Sequence, residues 1–243
     1  ILLAMVGART AAMGFNRIAD LHYDRLNPRT QHWELPSGKV TLPQAWALVI
    51  VASAAFFLAA ALLNRLALAL SPVALAIVFF YSYTKRFTEL THFALGLALS
   101  VAPMGAWIAV RASFALAPLV LSAAVVLWVA GFDIIYGCQD YAFDRALGLR
   151  SIPARFGIAR ALAISSALHG AMVVALIVVG LLSSLSLIYY AAVGLTAAFL
   201  FYEHRIVTPG DLSRADTAFF TVNGVVSLLL MAATVADLLL LRG

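Results

Sequence analysis

Two short stretches carry acids at a spacing that chemistry can use. Asn16, Asp20 and Asp24 follow one another at four-residue steps, and so do Tyr136, Asp140 and Asp144, with Asp133 three residues ahead of Tyr136. An α-helix turns about 100° per residue, so steps of three or four bring side chains back to one face. Each stretch therefore predicts a stripe of polar groups along one side of a helix. Both stretches close long apolar runs, and an aspartate within lipid costs about 2.5 kcal/mol or more unless a counter-ion meets it. Two acidic stripes at the ends of two membrane helices predict a shared cation site.

The segments that follow those runs supply the opposite charge, with Lys85 and Arg86 directly after one run and Arg145 directly after Asp144. Carboxylates for a divalent metal beside bases for phosphate oxygens suit a diphosphate substrate, because Mg2+ is bound by carboxylates and phosphate oxygens together. With Mg2+ on Asp20, Asp24, Asp140 and Asp144, metal and cations would stabilise charge developing on a departing diphosphate. If the departing group leaves an allylic carbon, a delocalised carbocation remains. An apolar cavity would shield it from water, and the Tyr136 ring would stabilise it through its face.

The elements that must position these residues are membrane helices. Of 243 residues, 64% are hydrophobic and only 11% charged, against roughly 25% charged in soluble domains. The fold class is all-α, a polytopic transmembrane helical bundle. Apolar runs of spanning length, about 20 residues, fall near 1–24, 44–63, 66–84, 93–112, 116–139, 160–182, 185–203 and 216–240, eight in all. Residues 1–243 read as one membrane domain, and the apolar opening at Ile1 predicts a fragment whose first helix is missing. The polar segment from Arg25 to Leu42, with Trp33 in it, has the composition of a short interfacial helix.

Loop charge sets the topology. Eleven cations (Arg25, Arg29, Lys39, Lys85, Arg86, Arg145, Arg150, Arg155, Arg160, Arg205 and Arg214) fall on one side, and only Arg65, Arg111 and Arg242 on the other. The positive-inside bias puts the larger set, and with it both acidic motifs, at the cytosolic face of what we read as a bacterial inner membrane. The net charge of +5 is too small and scattered for nucleic-acid binding. The single cysteine, Cys138, allows no intrachain disulfide and lacks neighbours at zinc-ligand spacing.

The sequence resembles the UbiA-type intramembrane prenyltransferases. The matching residues are Asn16-Arg-Ile-Ala-Asp20-Leu-His-Tyr-Asp24 and Asp133-Ile-Ile-Tyr136-Gly-Cys-Gln-Asp140-Tyr-Ala-Phe-Asp144, with Ala8-Arg9-Thr10, Asn27-Pro28-Arg29-Thr30, Tyr83-Thr84-Lys85-Arg86 and Ser151-Ile-Pro-Ala-Arg155-Phe-Gly157 around them. It is similar above all to the branch acting on 4-hydroxybenzoate and to the related menaquinone-pathway enzymes acting on a dihydroxynaphthoate. The resemblance implies nine helices in the complete protein, a polyprenyl diphosphate donor, an aromatic acceptor and a Mg2+ cofactor. It implies metal–diphosphate contact by Asn16, Asp20, Asp24, Asp140 and Asp144. Arg9, Lys85, Arg86, Arg145 and Arg155 become candidates for the diphosphate or the acceptor carboxylate, and Asp133 and Tyr136 fit the second motif less tightly. Many members carry Asp where this chain has Arg17.

Other readings stand beside this one. Asp24 with Arg25, and Asp144 with Arg145, have the spacing of ordinary interfacial ion pairs; Asp133 equally suits helix packing. Asn223 and His169, inside spans, suit bonds to neighbouring helices, and Gly96 with Ser100 suits close helix approach. Haem, chlorophyll or homogentisate prenylation shares the acid motifs. A transporter using the acids for a cation or proton is the reading from another class, with no inverted repeat in its favour.

Overall fold

The computed structural model describes residues 1–241, so Arg242, one of the three cations on the less basic side, lies outside the described residues. Long apolar runs fold as helices because every backbone polar group in lipid must be satisfied within its own segment. Among the described residues six helices are long and apolar enough to cross a membrane: Leu42–Leu63, Arg65–Thr84, Thr91–Arg111, Leu116–Ala146, Ile158–Leu182 and Thr217–Leu240. Eight runs were expected. The other two are present as helices of 25 and 20 residues, Leu2–Leu26 and Leu187–Ile206. They are the more polar ones, the first through Arg9, Asn16, Arg17, Asp20 and Asp24, the second through Glu203, His204 and Arg205. The protein is a polytopic, all-helical membrane protein.

The chain forms two compact units, Ile1–Phe87 with Val101–Phe114, and Thr88–Ser100 with the chain from Ala115 onward. The first unit packs α1 (Leu2–Leu26), α2 (Leu42–Leu63), α3 (Arg65–Thr84) and the second half of α4 (Thr91–Arg111). Small residues let α1 and α2 approach closely. A Cβ on Gly7 would lie 2.9 Å from the Ala52 carbonyl oxygen, and Ala11, one turn on, is wholly buried. Such contacts replace hydrophobic driving force where lipid is as apolar as the helix. Asn64 is the whole turn between α2 and α3; its side chain accepts from the Ala67 N–H at 2.9 Å and donates to the Ile108 carbonyl at 2.8 Å. Thr41 and Gln44 form a capping box at the start of α2. The segment between α1 and α2 is a series of turns and not the interfacial helix its composition suggested. It is tied back to α1, for the buried Thr30 hydroxyl donates to the Asp24 carbonyl at 3.1 Å.

The second unit holds the first half of α4, α5 (Leu116–Gly137), α6 (Tyr141–Ala146), α7 (Ile152–Phe156), α8 (Ile158–Leu182), α9 (Leu187–Ile206) and α10 (Asn223–Leu241). Helices α5 and α8 lie flush. A Cβ on Gly131 would sit 2.3 Å from the His169 ring, and the Ser165 hydroxyl donates to the Gly131 carbonyl at 2.6 Å. Gly96 of α4 meets the Val126 carbonyl just as closely, which is the approach its small-residue pairing predicts. Ile134, Ile135, Cys138, Ile152 and Ala161 form the core that anchors the end of α5. A π-helical turn, Thr217–Val222, runs directly into α10. Asp237 accepts from the Ser186 N–H at 2.8 Å, closing the start of α9.

Candidate active site

The first acidic stripe lies on α1 as its spacing requires. The Asn16 amide donates to Asp20 at 3.0 Å, holding a carboxylate one turn along the helix, and reaches Ser82 of α3 at 3.4 Å. Arg86, at the end of α3, donates to the Ala19 carbonyl and stands 3.9 Å from the Asp20 carboxylate. Lys85 adds its charge to the field at Asp20. Arg17 lies 3.7 Å from Asp24 and lays its guanidinium over the Trp33 ring at 3.7 Å from the centroid. Arg86 is set between Tyr23 and Tyr83, 5.6 and 4.7 Å from their centroids. Asp24 is buried, whereas Arg17 and Asp20 are partly exposed. Arg9 is exposed, seven residues before Asn16.

The second stripe is not one uninterrupted α-helical face. Helix α5 stops at Gly137, and a single 3-10 turn, Cys138–Asp140, joins it to α6. That turn winds about 120° per residue instead of about 100°. Asp140 and Asp144 are thereby turned by about 60° relative to Asp133 and Tyr136. Asp144 is buried and accepts from the Ser151 hydroxyl at 2.9 Å; the same hydroxyl accepts from the Ala154 N–H and starts α7. The expected neighbour pairs with Arg25 and Arg145 are not the contacts seen here: Asp24 meets Arg17, and Arg145 donates to the Tyr141 hydroxyl at 2.9 Å. Arg155 is 62% exposed and pairs with Glu89 at 3.2 Å. Tyr136 packs on Phe219 of the π-helical turn, with ring centroids 4.3 Å apart.

Two participants escaped the sequence. His92, at the start of α4, lies with its Nδ1 2.6 Å from the Asp133 carboxylate. Arg17, noted only as a departure from a pattern, is the residue that meets Asp24. Asn223 and His169 do bond between helices, as their positions suggested, but as parts of a chain that includes Glu203. The Trp128 indole donates to Asn223 at 2.6 Å, Asn223 to Glu203 at 3.3 Å, and His169 lies 3.7 Å from Glu203 and 3.0 Å from His204.

The donor set suits Mg2+. Carboxylate and amide oxygens are hard ligands, and one or two carboxylates are what Mg2+ takes when phosphate oxygens complete its shell. Among the described residues no group of three or more His, Cys, Asp or Glu side chains forms a metal cage; along each motif the acids come as pairs one turn apart.

Comparison with known proteins identifies the class. Residues 1–225 match the UbiA prenyltransferase family, and the chain belongs to it. It is a prenyltransferase. It is 33% identical over 218 residues to a 4-hydroxybenzoate octaprenyltransferase of Providencia stuartii, covering 89% of this chain and 75% of that protein. The apo structure of a UbiA homologue from Aeropyrum pernix K1 superposes with a TM-score of 0.89 at 41% identity, over 97% of this chain and 87% of that one. A UbiA homologue from Archaeoglobus fulgidus bound to GPP and Mg2+ shares the fold, with a TM-score of 0.72 at 21% identity over 97% of this chain and 86% of that one. Membership in an enzyme family removes the transporter reading.

Proposed function

We propose that this prenyltransferase moves a polyprenyl group from a polyprenyl diphosphate to 4-hydroxybenzoate or a related hydroxynaphthoate, in ubiquinone or menaquinone biosynthesis, with Mg2+ as cofactor. The observation that carries the reading is the end of α1, where two carboxylates one turn apart share their surroundings with Arg17, Lys85 and Arg86. The name of the Providencia relative supports the acceptor. GPP and Mg2+ in the Archaeoglobus homologue support the donor class and the metal.

In this reading Asn16, Asp20, Asp24, Asp140 and Asp144 hold the metal, which when bound neutralises charge on the departing diphosphate. Lys85 and Arg86 take phosphate oxygens directly, and Arg9, Arg145 and Arg155 are candidates for the diphosphate or the acceptor carboxylate. Phe219 fixes the Tyr136 ring, so its face is set in advance for the allylic cation. Apolar surroundings keep water from that cation until the ring carbon attacks. The loop charges support an active site on the cytosolic side of a bacterial inner membrane.

The test is a product assay on the protein in membranes with a polyprenyl diphosphate, Mg2+ and either 4-hydroxybenzoate or a dihydroxynaphthoate. A prenylated acid that disappears with EDTA is the expected result, and the acceptor that works names the pathway. Product that persists in EDTA would remove the metal; no product with either acid would remove the acceptor class.

A further inference from the structure

Electrophilic prenylation of a ring leaves a proton to be disposed of, and the second unit holds an acid–imidazole pair that no step above employs. His92 is 1% exposed and its Nδ1 lies 2.6 Å from Asp133 Oδ2. A carboxylate oxygen accepts, so the ring donates from Nδ1 in this contact. Nε2 is buried without a hydrogen-bond partner. Burial of that edge leaves Nδ1 as the ring's one hydrogen-bonding atom, aimed at Asp133. Helix α5 makes room for the ring: a Cβ on Gly137 would lie 3.0 Å from His92 Cε1.

Helix packing alone would not call for this pair. A carbonyl or amide oxygen would satisfy the same N–H without bringing a charge into a membrane helix. Nor is Asp133 sealed in. Its side chain is 22% exposed while its neighbours Ile134 and Ile135 are wholly buried in the core. It occupies the side of α5 that carries Tyr136, one helical turn further on.

We propose that Asp133 is the base that removes the ring proton from the prenylated acceptor, with His92 as the positioning residue behind it. The proposal rests on the aromatic acceptor of the preceding reading. In the first step the allylic C–O bond breaks, its electron pair leaves with the diphosphate, and a ring carbon ortho to the hydroxyl forms the new C–C bond. That carbon then bears both hydrogen and prenyl group, and the ring is cationic. Asp133 takes the hydrogen as a proton, the C–H electron pair restores aromaticity, and the proton passes to solvent. The net products are prenylated acid, diphosphate and H+. The short Nδ1–H···O bond fixes the direction of the carboxylate.

The test compares 4-hydroxybenzoate with its ring-deuterated form, using a polyprenyl diphosphate and Mg2+, in wild type, Asp133→Asn, His92→Ala and His92→Asn. Wild type should turn over both acids equally, because an activated ring loses its proton quickly. Asp133→Asn should be slower by about 10²-fold or more, the usual contribution of a positioned base, and should show a primary isotope effect. His92→Ala should show a weaker version of the same effect, and His92→Asn, which keeps an amide N–H close to the Nδ1 position, should recover most of the rate. GPP binding by each variant in the presence of Mg2+ reports folding. An Asp133→Asn enzyme with no isotope effect and near-normal turnover overturns the proposal alone. A variant that binds GPP yet makes no product supports it, and if Asp133→Asn fails to bind GPP, the His92 pair decides. A wild type inert towards 4-hydroxybenzoate overturns the acceptor and the ring base with it.

Discussion

Two polar regions of this protein sit among apolar helices and are built in opposite ways. At the end of α1 the charges are loosely spaced, at 3.7 Å for Arg17 and Asp24 and 3.9 Å for Arg86 and Asp20. The side chains there remain 39% exposed for Arg17 and 32% for Asp20. In the second unit the chain Trp128, Asn223, Glu203, His169 is closed over, with Glu203 fully buried and the leading bond only 2.6 Å long. Enclosure, more than bond length, distinguishes this chain, which joins α5, α8, α9 and α10 to one another. The comparison separates residues enclosed between helices from residues gathered at a more open helix end, although both sets are polar and both lie in helices.

The largest effect that would break this division is on the open side. Asp20→Ala should lower prenyl transfer by about 10²–10³-fold, the scale for losing one preorganised charge-stabilising element, while leaving the thermal unfolding of the detergent-solubilised protein unchanged. Retained activity would dismiss Asp20 as a ligand. The closed side should respond the other way. Asn223→Leu leaves the Trp128 N–H and the Glu203 carboxyl without their partner, so unfolding should become easier by about 1–3 kcal/mol. The turnover of each folded molecule should stay the same; a loss of kcat without destabilisation would move the network into the catalytic machinery. The smallest change sharpens the boundary. Lys85→Ala should raise the KM for the polyprenyl diphosphate by about tenfold at constant kcat, the signature of lost uniform binding. Unchanged kinetics would leave Lys85 to topology.

Much of this was legible in the chain because membranes impose period and length. The apolar runs gave the helices, and the four-residue steps gave the acids of α1 and the order of those in α5 and α6. Gly96 read correctly as a close contact because small-residue spacing is local. What stayed hidden depends on partners distant in sequence. His92 lies 41 residues from Asp133, and a lone histidine at a helix start carries no periodic signal. Arg17 looked like a departure, since its role depends on Trp33 folding back over α1 through turns that charge and aromatic content alone suggested were helical. The 3-10 turn at Cys138–Asp140 was invisible for another reason: tightening of three residues leaves hydrophobicity untouched while changing where the following acids point.

The π-helical turn at Thr217–Val222 acts as a phase shifter for the last helix. A wide turn holds one residue more than an α-turn, so everything after it is advanced by about 100°. With that extra residue, Asn223 faces Trp128 and Asp237 meets the start of α9, and Phe219 rests on Tyr136. Removing one residue between 217 and 222 would let the helix run at ordinary pitch and swing Asn223 and Asp237 off their partners together. Two contacts far apart on one helix, at Asn223 and Asp237, are thus set by a single inserted residue, much as one tooth sets the timing of a gear train.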